Sequence, residues 1–267
     1  MSPRRSLLET FRNVLDRRRA DSALRTLTIS PPTSTDFSSN DFLSLSTSSS
    51  LRSAFLQELA NQPYFTLGSG GSRLLDGNST YAEQLERDIA AFHRAPAGLL
   101  FNSGFDANSG FFSCIPQPGD VIIYDQYIHA SVHEGMRLSR AGARVPFAHN
   151  SIHDFQRILR DQIHKDPLIQ FGTRNVFVAI ESVYSMDGDL APIAEFVECV
   201  ERLLPMGNGH VIVDEAHSTG VFGPMGSGIV CSLRLEDKIF ARLHTFGKAL
   251  SCGGGLYPRD SSWSFSS

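Results

Sequence analysis

A chain of 267 residues with 41% hydrophobic content is long enough to bury a substantial core, as one large α/β domain or two smaller ones. A net charge of −4 gives no reason to expect nucleic acid or an anionic membrane as the main partner. No apolar run approaches the roughly 20 residues needed to span a bilayer, and the four cysteines, Cys114, Cys199, Cys231 and Cys252, are irregularly spaced, as expected of reduced thiols in an intracellular protein. The N-terminus carries Arg4, Arg5, Arg12, Arg17, Arg18 and Arg19, but Glu9, Asp16 and Asp21 interrupt them, which argues against a transit peptide. The expected location is cytoplasmic, with peroxisome and mitochondrion left open.

Leu7–Leu27 is predicted as an amphipathic surface helix with Leu7, Leu8, Phe11, Val14 and Leu15 on one face. Pro31–Ser39 is a Ser/Thr/Pro linker. Leu51–Ala60 is predicted as a short helix, followed by the glycine-rich loop Gly68–Arg73. Thr80–His93 is a helix capped by Ser79 or Thr80, with Glu83 close behind. From there short apolar runs alternate with helical segments. Strands are predicted over Gly98–Phe101, Val121–Tyr124, Arg144–Ala148, Asn175–Ile180, His210–Val213 and Ile239–Thr245. Helices are predicted after Asn102–Phe105 and over His129–Arg140, Ile152–Ile163 and Ile193–Leu204. This alternation implies an α/β fold of βαβ units around a mostly parallel sheet. Pro258 argues against a central strand near the end, where the Ser-rich stretch with Trp263 and Phe265 has no pattern.

Chemistry is expected beyond the carboxyl ends of the strands. Asp214 follows Val211–Val213, and Lys248 follows Ile239–Thr245 in a Gly-flanked setting. Ser103, Gly104 and Phe105 stand where a strand turns into a helix, a place suited to phosphate. His129 opens a helix and is placed to lie over a planar ring, and Ser185 follows another strand. An amine and a carboxylate so placed suit pyridoxal phosphate (PLP), which needs a Schiff-base lysine and a partner for its ring nitrogen. The chain has three lysines, and Lys165 and Lys238 sit in polar surroundings.

Competing motifs fail. His129 and His133 have zinc spacing, but Arg137 stands where a further ligand belongs. Gly68–Arg73 lacks the third glycine of a dinucleotide fingerprint, and Gly247–Lys248 has no P-loop context. There is no G-x-S-x-G elbow.

Several segments together resemble the α-oxoamine synthases, PLP enzymes of the aspartate aminotransferase fold. They are Ser39–Leu45, Gly68–Arg73, Asn102–Asn108, His129–Ser131, Phe147–Asn150, Ser185–Asp189, Asp214–Gly220 and Thr245–Ala249. The resemblance runs from about Leu7 to Gly254. It implies that Lys248 carries the Schiff base and moves the substrate α-proton, that Asp214 pairs with the ring nitrogen, that His129 stacks on the ring, and that His217 lies near the phenolic oxygen. It further implies that Ser103, Gly104, Phe105 and Thr245 serve the phosphate, that Ser185 lines the pocket, that Asn40 serves the substrate, and that Gly68–Arg73 lies near the interface of a homodimer. The implied reaction is a decarboxylative condensation of an amino acid with an acyl-CoA. L-Alanine and pimeloyl-CoA, for biotin biosynthesis, are preferred over sister reactions of glycine or serine.

Three segments follow from this comparison: residues 1–39 as helix and linker, 40–255 as a PLP-binding large domain, and 256–267 as an aberrant tail. The sheet's last strand and a small C-terminal domain with its carboxylate-binding arginine are expected to be missing. That would leave an open sheet edge and makes an inactive truncated fragment the alternative reading.

Overall fold

The structure, a computed structural model, describes residues 6–29, 31, 33–64 and 66–259. Arg4, Arg5, Pro32 and the tail from 260, with Trp263 and Phe265, lie outside the described residues. The chain divides into two units, Met1–Ser38 and Ser39–Ser267.

The first unit contains α1 (Leu7–Ala20). A capping box starts it: the Ser6 hydroxyl accepts from the Glu9 N–H, and the Glu9 carboxylate accepts from the Ser6 N–H. Arg17, Arg18 and Arg19 favour its C-terminal end through the helix dipole. The helix ends seven residues before the predicted Leu27, because Ser22 turns with φ 52°. Its apolar stripe is not buried.

The second unit opens with α2 (Ser49–Ala60) and α3 (Thr80–Phe92). Ser79, not Thr80, caps α3, its hydroxyl accepting from the Ala82 N–H. The predicted alternation follows: β1 (Ala97–Phe101), α4 (Gly104–Cys114), β2 (Val121–Asp125), α5 (Ala130–Leu138), β3 (Ala143–Phe147), α6 (Ile152–Lys165), α7 (Pro167–Gln170), β4 (Val176–Glu181), α8 (Ile193–Leu203), β5 (Gly209–Asp214), α9 (Ile229–Leu233) and β6 (Ala241–Thr245). The one-turn α7 and short α9 escaped the sequence reading, because pieces this small show no helical period.

A seventh strand, β7 (Gly255–Arg259), completes a sheet of order β1-β7-β6-β5-β4-β2-β3. The α/β expectation holds, since the pairs among β2 to β6 are all parallel. The expectation of a missing last strand is corrected. β7 runs antiparallel between β1 and β6, so no gap opens there, and the segment from 256 to 259 is not an unstructured tail. Its pairing with β6 falls at Ala241–Arg259, His244–Leu256 and Thr245–Gly255, and it passes over Pro258, which has no N–H to give. Pro258 faces Gly98 across the other ladder. Backbone pairing on two sides thus holds a proline strand that its own sequence disfavours.

Strand side chains alternate between two apolar layers, as a sheet covered on both faces requires. Ile123, Val178 and Val213 join Phe155 and Phe196 on one face, and Ile122, Phe177, Ile212 and Leu243 join Phe112 and Val132 on the other. At the β3 edge Arg144 and Pro146 are exposed, which discourages pairing with another chain.

Candidate active site

Past the carboxyl ends of β1, β5 and β6 lies a cavity of about 210 Å³ lined by Ser103, Gly104, Phe105, Asn108, His129, Ser131, Glu181, Asp214, Ala216, His217, Leu243, Thr245 and Lys248. Eight expected residues meet here: Ser103, Gly104, Phe105, His129, Asp214, His217, Thr245 and Lys248.

One end of the cavity is the first turn of α4. Ser103 is its N-cap, with its hydroxyl accepting from the Asp106 N–H. The N–H groups of Gly104 and Phe105 belong to the first turn, which a helix leaves without internal partners. Thr245, at the end of β6, packs so closely that a Cβ on Gly104 would stand 2.9 Å from its own Cβ. Glycine is therefore required for strand and helix to meet there.

The opposite wall carries the titratable groups. The carboxylate of Asp214, at the end of β5, accepts from the Ala216 N–H at 2.9 Å and the Asn108 amide at 2.8 Å. Lys248 Nζ lies 2.8 Å from His217 Nε2. Burial pushes the Lys248 amine below its ordinary value, against the pull of Asp214 and Glu181. Burial and then the Lys248 charge push His217 down to about 4. His217 is therefore neutral, and the lysine donates to its Nε2. Phe42 stands over the His217 ring at 6.1 Å. Burial, with Lys248 contributing, also holds His129 below its ordinary value despite Asp214.

Glu181, the last residue of β4, was missed. It is buried, and its Oε1 has no hydrogen-bond partner among the described residues. Burial, then the Asp214 charge, raises it to about 8. The signal that marked Asp214, a carboxylate closing an apolar strand, was available for Glu181 too. Asn108 and Ser131 were also missed, because a polar residue inside a helix pattern reads as surface until its burial is known.

Ser185 and Asn40 are not brought to the cavity. Beyond β4 the chain folds back on itself: the Tyr184 N–H donates to Asp189 O and the Gly188 N–H to Tyr184 O. Ser185 is left on the exposed tip of this turn. Asn40 is exposed in a bend, and its segment approaches His217 through Phe42 instead.

Among the described residues there is no cluster of side chains able to hold a metal and no helix long and apolar enough to cross a membrane. All four cysteines are free thiols.

A sheet of this order with a lysine, a carboxylate and a helix N-terminus around one cavity defines a PLP-dependent transferase fold. The family profile for aminotransferase class I and II matches residues 32–257, and the chain belongs to that family. It is 61% identical over 94% of its length to an 8-amino-7-oxononanoate synthase of Emericella nidulans, and it spans 61% of that protein. It is 48% identical over 83% of its length to the aminoacyl transferase sphA of Byssochlamys spectabilis, spanning 47% of it. Among solved structures, a serine palmitoyltransferase from S. paucimobilis, which there holds a PLP–myriocin aldimine, superposes with a TM-score of 0.79 at 27% identity. That match covers 97% of this chain and 65% of the other. The chain thus spans less than two thirds of the length of each of these proteins.

Proposed function

We propose that this chain is the large-domain part of an 8-amino-7-oxononanoate synthase-like enzyme, condensing L-alanine with pimeloyl-CoA and releasing CoA and CO₂. The relative at 61% identity supports this choice of substrates. The observation that carries the chemistry is the pairing of Lys248 with a neutral His217 in a cavity that also holds Asp214. The residues fit PLP: one amine with a lowered proton affinity, one carboxylate, one helix N-terminus for a phosphate, and an aromatic group at His129.

PLP would supply an electron sink for the α-carbanion. Lys248 would hold the cofactor's aldehyde carbon and then move the substrate α-proton, helped by burial that lowers its proton affinity. Asp214, fixed by two hydrogen bonds, would accept from the ring N–H. Gly104 and Phe105 N–H groups and the Thr245 hydroxyl would take the phosphate. His129 would lie against the ring, and His217 would hold the phenolic oxygen. Ser185 and Asn40 are proposed to reach the substrate only through movement of their exposed segments, and the assembled enzyme is proposed to be a homodimer.

The test is to add PLP to the 267-residue protein, follow a visible absorbance band, reduce it with borohydride and map the label by mass spectrometry. A label on Lys248, absent in Lys248→Ala, is expected. A label on Lys165 or Lys238 overturns the assignment. The resemblance to sphA and serine palmitoyltransferase supports a sister reading with serine or glycine. Spectral titration with alanine, serine and glycine separates the two, because the preferred amino acid perturbs the band at the lowest concentration.

A further inference from the structure

Along one wall of the cavity runs a chain of hydrogen bonds of which the site assignments use a single link, Asn108 to Asp214. It starts on β7, where the buried Tyr257 hydroxyl stands 2.6 Å from Asn108 Oδ1. Asn108, in α4, is 1% exposed. Its Nδ2 contacts two acceptors, Asp214 Oδ2 at 2.8 Å and Ser131 Oγ at 2.9 Å. Ser131, fully buried in the first turn of α5, stands with its Oγ 2.7 Å from His129 Nδ1. Its backbone N–H donates to the same nitrogen at 3.2 Å.

Counting protons gives this chain a direction. The Asp214 carboxylate faces Asn108, so the amide must present its NH₂ there and its oxygen to the tyrosine. Turned over, the amide would set an oxygen against the Asp214 oxygen and an NH₂ against the tyrosine. The Tyr257 O–H therefore donates to Oδ1, and burial keeps that phenol protonated. The two amide hydrogens go to Asp214 and Ser131. The Ser131 backbone N–H donates to His129 Nδ1, so Nδ1 is an acceptor and carries no proton. The Ser131 hydroxyl, which accepts from Asn108, then gives its own hydrogen to the same nitrogen.

We propose that Asn108, locked by Tyr257, is a positioning residue that simultaneously fixes the Asp214 carboxylate and holds His129 as the neutral Nε2–H tautomer. The inference rests on the PLP reading for its purpose, but its geometry is read from this chain's own residues. Both groups proposed to face the cofactor ring are set by one amide, and that amide is oriented by a side chain from the strand that sequence reasoning expected to be missing. Cutting the chain at Tyr257 or Asn108 would free the Ser131 hydroxyl to turn away from Nδ1 and would leave the Asp214 carboxylate to the Ala216 N–H.

The test reads the imidazole directly. ¹⁵N NMR of the protein without cofactor, with His129 assigned by comparison with His129→Gln, should show one neutral Nε2–H tautomer at pH 7. An Nδ1–H tautomer or a protonated ring there overturns the proposal, whatever the variants do. In Tyr257→Phe the amide loses its lock, and His129 should become a mixture of tautomers with PLP binding weakened about 3- to 10-fold. In Asn108→Asp the donor to Asp214 is replaced by a like charge. PLP binding should then weaken about 10- to 100-fold, with His129 shifting towards its protonated form. If both variants keep the parental His129 spectrum, Asn108 does not set the tautomer and the proposal fails. Failure of PLP to bind the unsubstituted protein while His129 is Nε2–H refutes the cofactor reading and leaves the relay standing.

Discussion

Two histidine–carboxylate pairs, on opposite sides of the sheet's centre, teach how differently the same residue types behave. Beyond β2, His149 lies between two carboxylates: Nδ1 is 2.9 Å from Asp125 Oδ1 and Nε2 is 2.6 Å from Asp189 Oδ2. A neutral imidazole has one N–H and serves one of them, so the geometry calls for the cation. Burial pushes His149 down, but Asp125 and Asp189 outweigh it, and the net shift is upward. On β6, His244 is fully buried, with its Nε2 3.7 Å from Glu215 Oε2, and neither atom has a hydrogen-bond partner among the described residues. The Thr219 hydroxyl donates to Glu215 O, so it accepts from His244 Nδ1–H, and Nε2 is a bare lone pair. Burial, then His93 and Arg242, lowers His244, while burial raises Glu215 to about 7. One pair is a salt-bridged clamp, and the other is neutral below about pH 7, where the Glu215 proton falls to the otherwise unpartnered Oε2. Two carboxylates and partial solvent access make the difference.

The largest expected effect breaks the clamp at Asp125, which also accepts from the Tyr127 and Asn150 N–H groups. In Asp125→Asn either amide orientation sets an NH₂ against a backbone N–H. Urea unfolding should show a loss of about 3–5 kcal/mol, and a loss under about 1 kcal/mol would show that this site tolerates the change.

Next in size is the pH profile of the neutral pair. A carboxyl whose folded value is about 7 and whose ordinary value is 4.5 binds more protons folded than unfolded between those values. The contribution of Glu215 to stability therefore falls as pH rises from 4.5 to 7, by about 1.4 kcal/mol per pH unit, or up to about 3 kcal/mol in all, while the lowered His244 contributes in the opposite sense below 6.5. Glu215→Gln, whose NH₂ would face His244 Nε2, should lose only this contribution, so its stability relative to the parent should rise by that slope between pH 4.5 and 7. A variant with the parent's slope assigns it to another group.

The clamp titrates in the opposite sense of charge and in a higher window. Its contribution is full below the ordinary histidine value of 6.5 and is lost as pH rises through the elevated folded value. His149→Gln should cost about 2 kcal/mol at pH 6 and less at pH 9, measured by denaturant midpoints. An equal cost at both pH values would mean that the cation is not what holds the loop.

The smallest effect sharpens the comparison from its margin. Asp189 anchors the turn that carries Ser185, and Ser185 is exposed outside the cavity. Ser185→Ala should change PLP affinity and stability by no more than about 0.5 kcal/mol. A larger loss of PLP affinity by fluorescence titration would show that the turn swings inward.

The sequence by itself determined the α/β alternation, with six strands placed within a few residues, and the groups that close or follow those strands: Ser103 to Phe105, His129, Asp214, His217, Thr245 and Lys248. Strand ends and helix starts are local properties, written in apolar runs and capping residues. The tertiary structure alone decided three things. Gly255–Arg259 became a central antiparallel strand because β1 and β6 offer it two ladders, and that long-range pairing outweighs the local penalty of Pro258. Ser185 left the cavity because the turn after β4 folds onto Asp189. Asn108, Ser131, Glu181 and Tyr257 acquired their places through burial and through partners up to 149 positions away. Which polar groups end up without water, and which proton each then keeps, is set by that packing and not by any spacing along the chain.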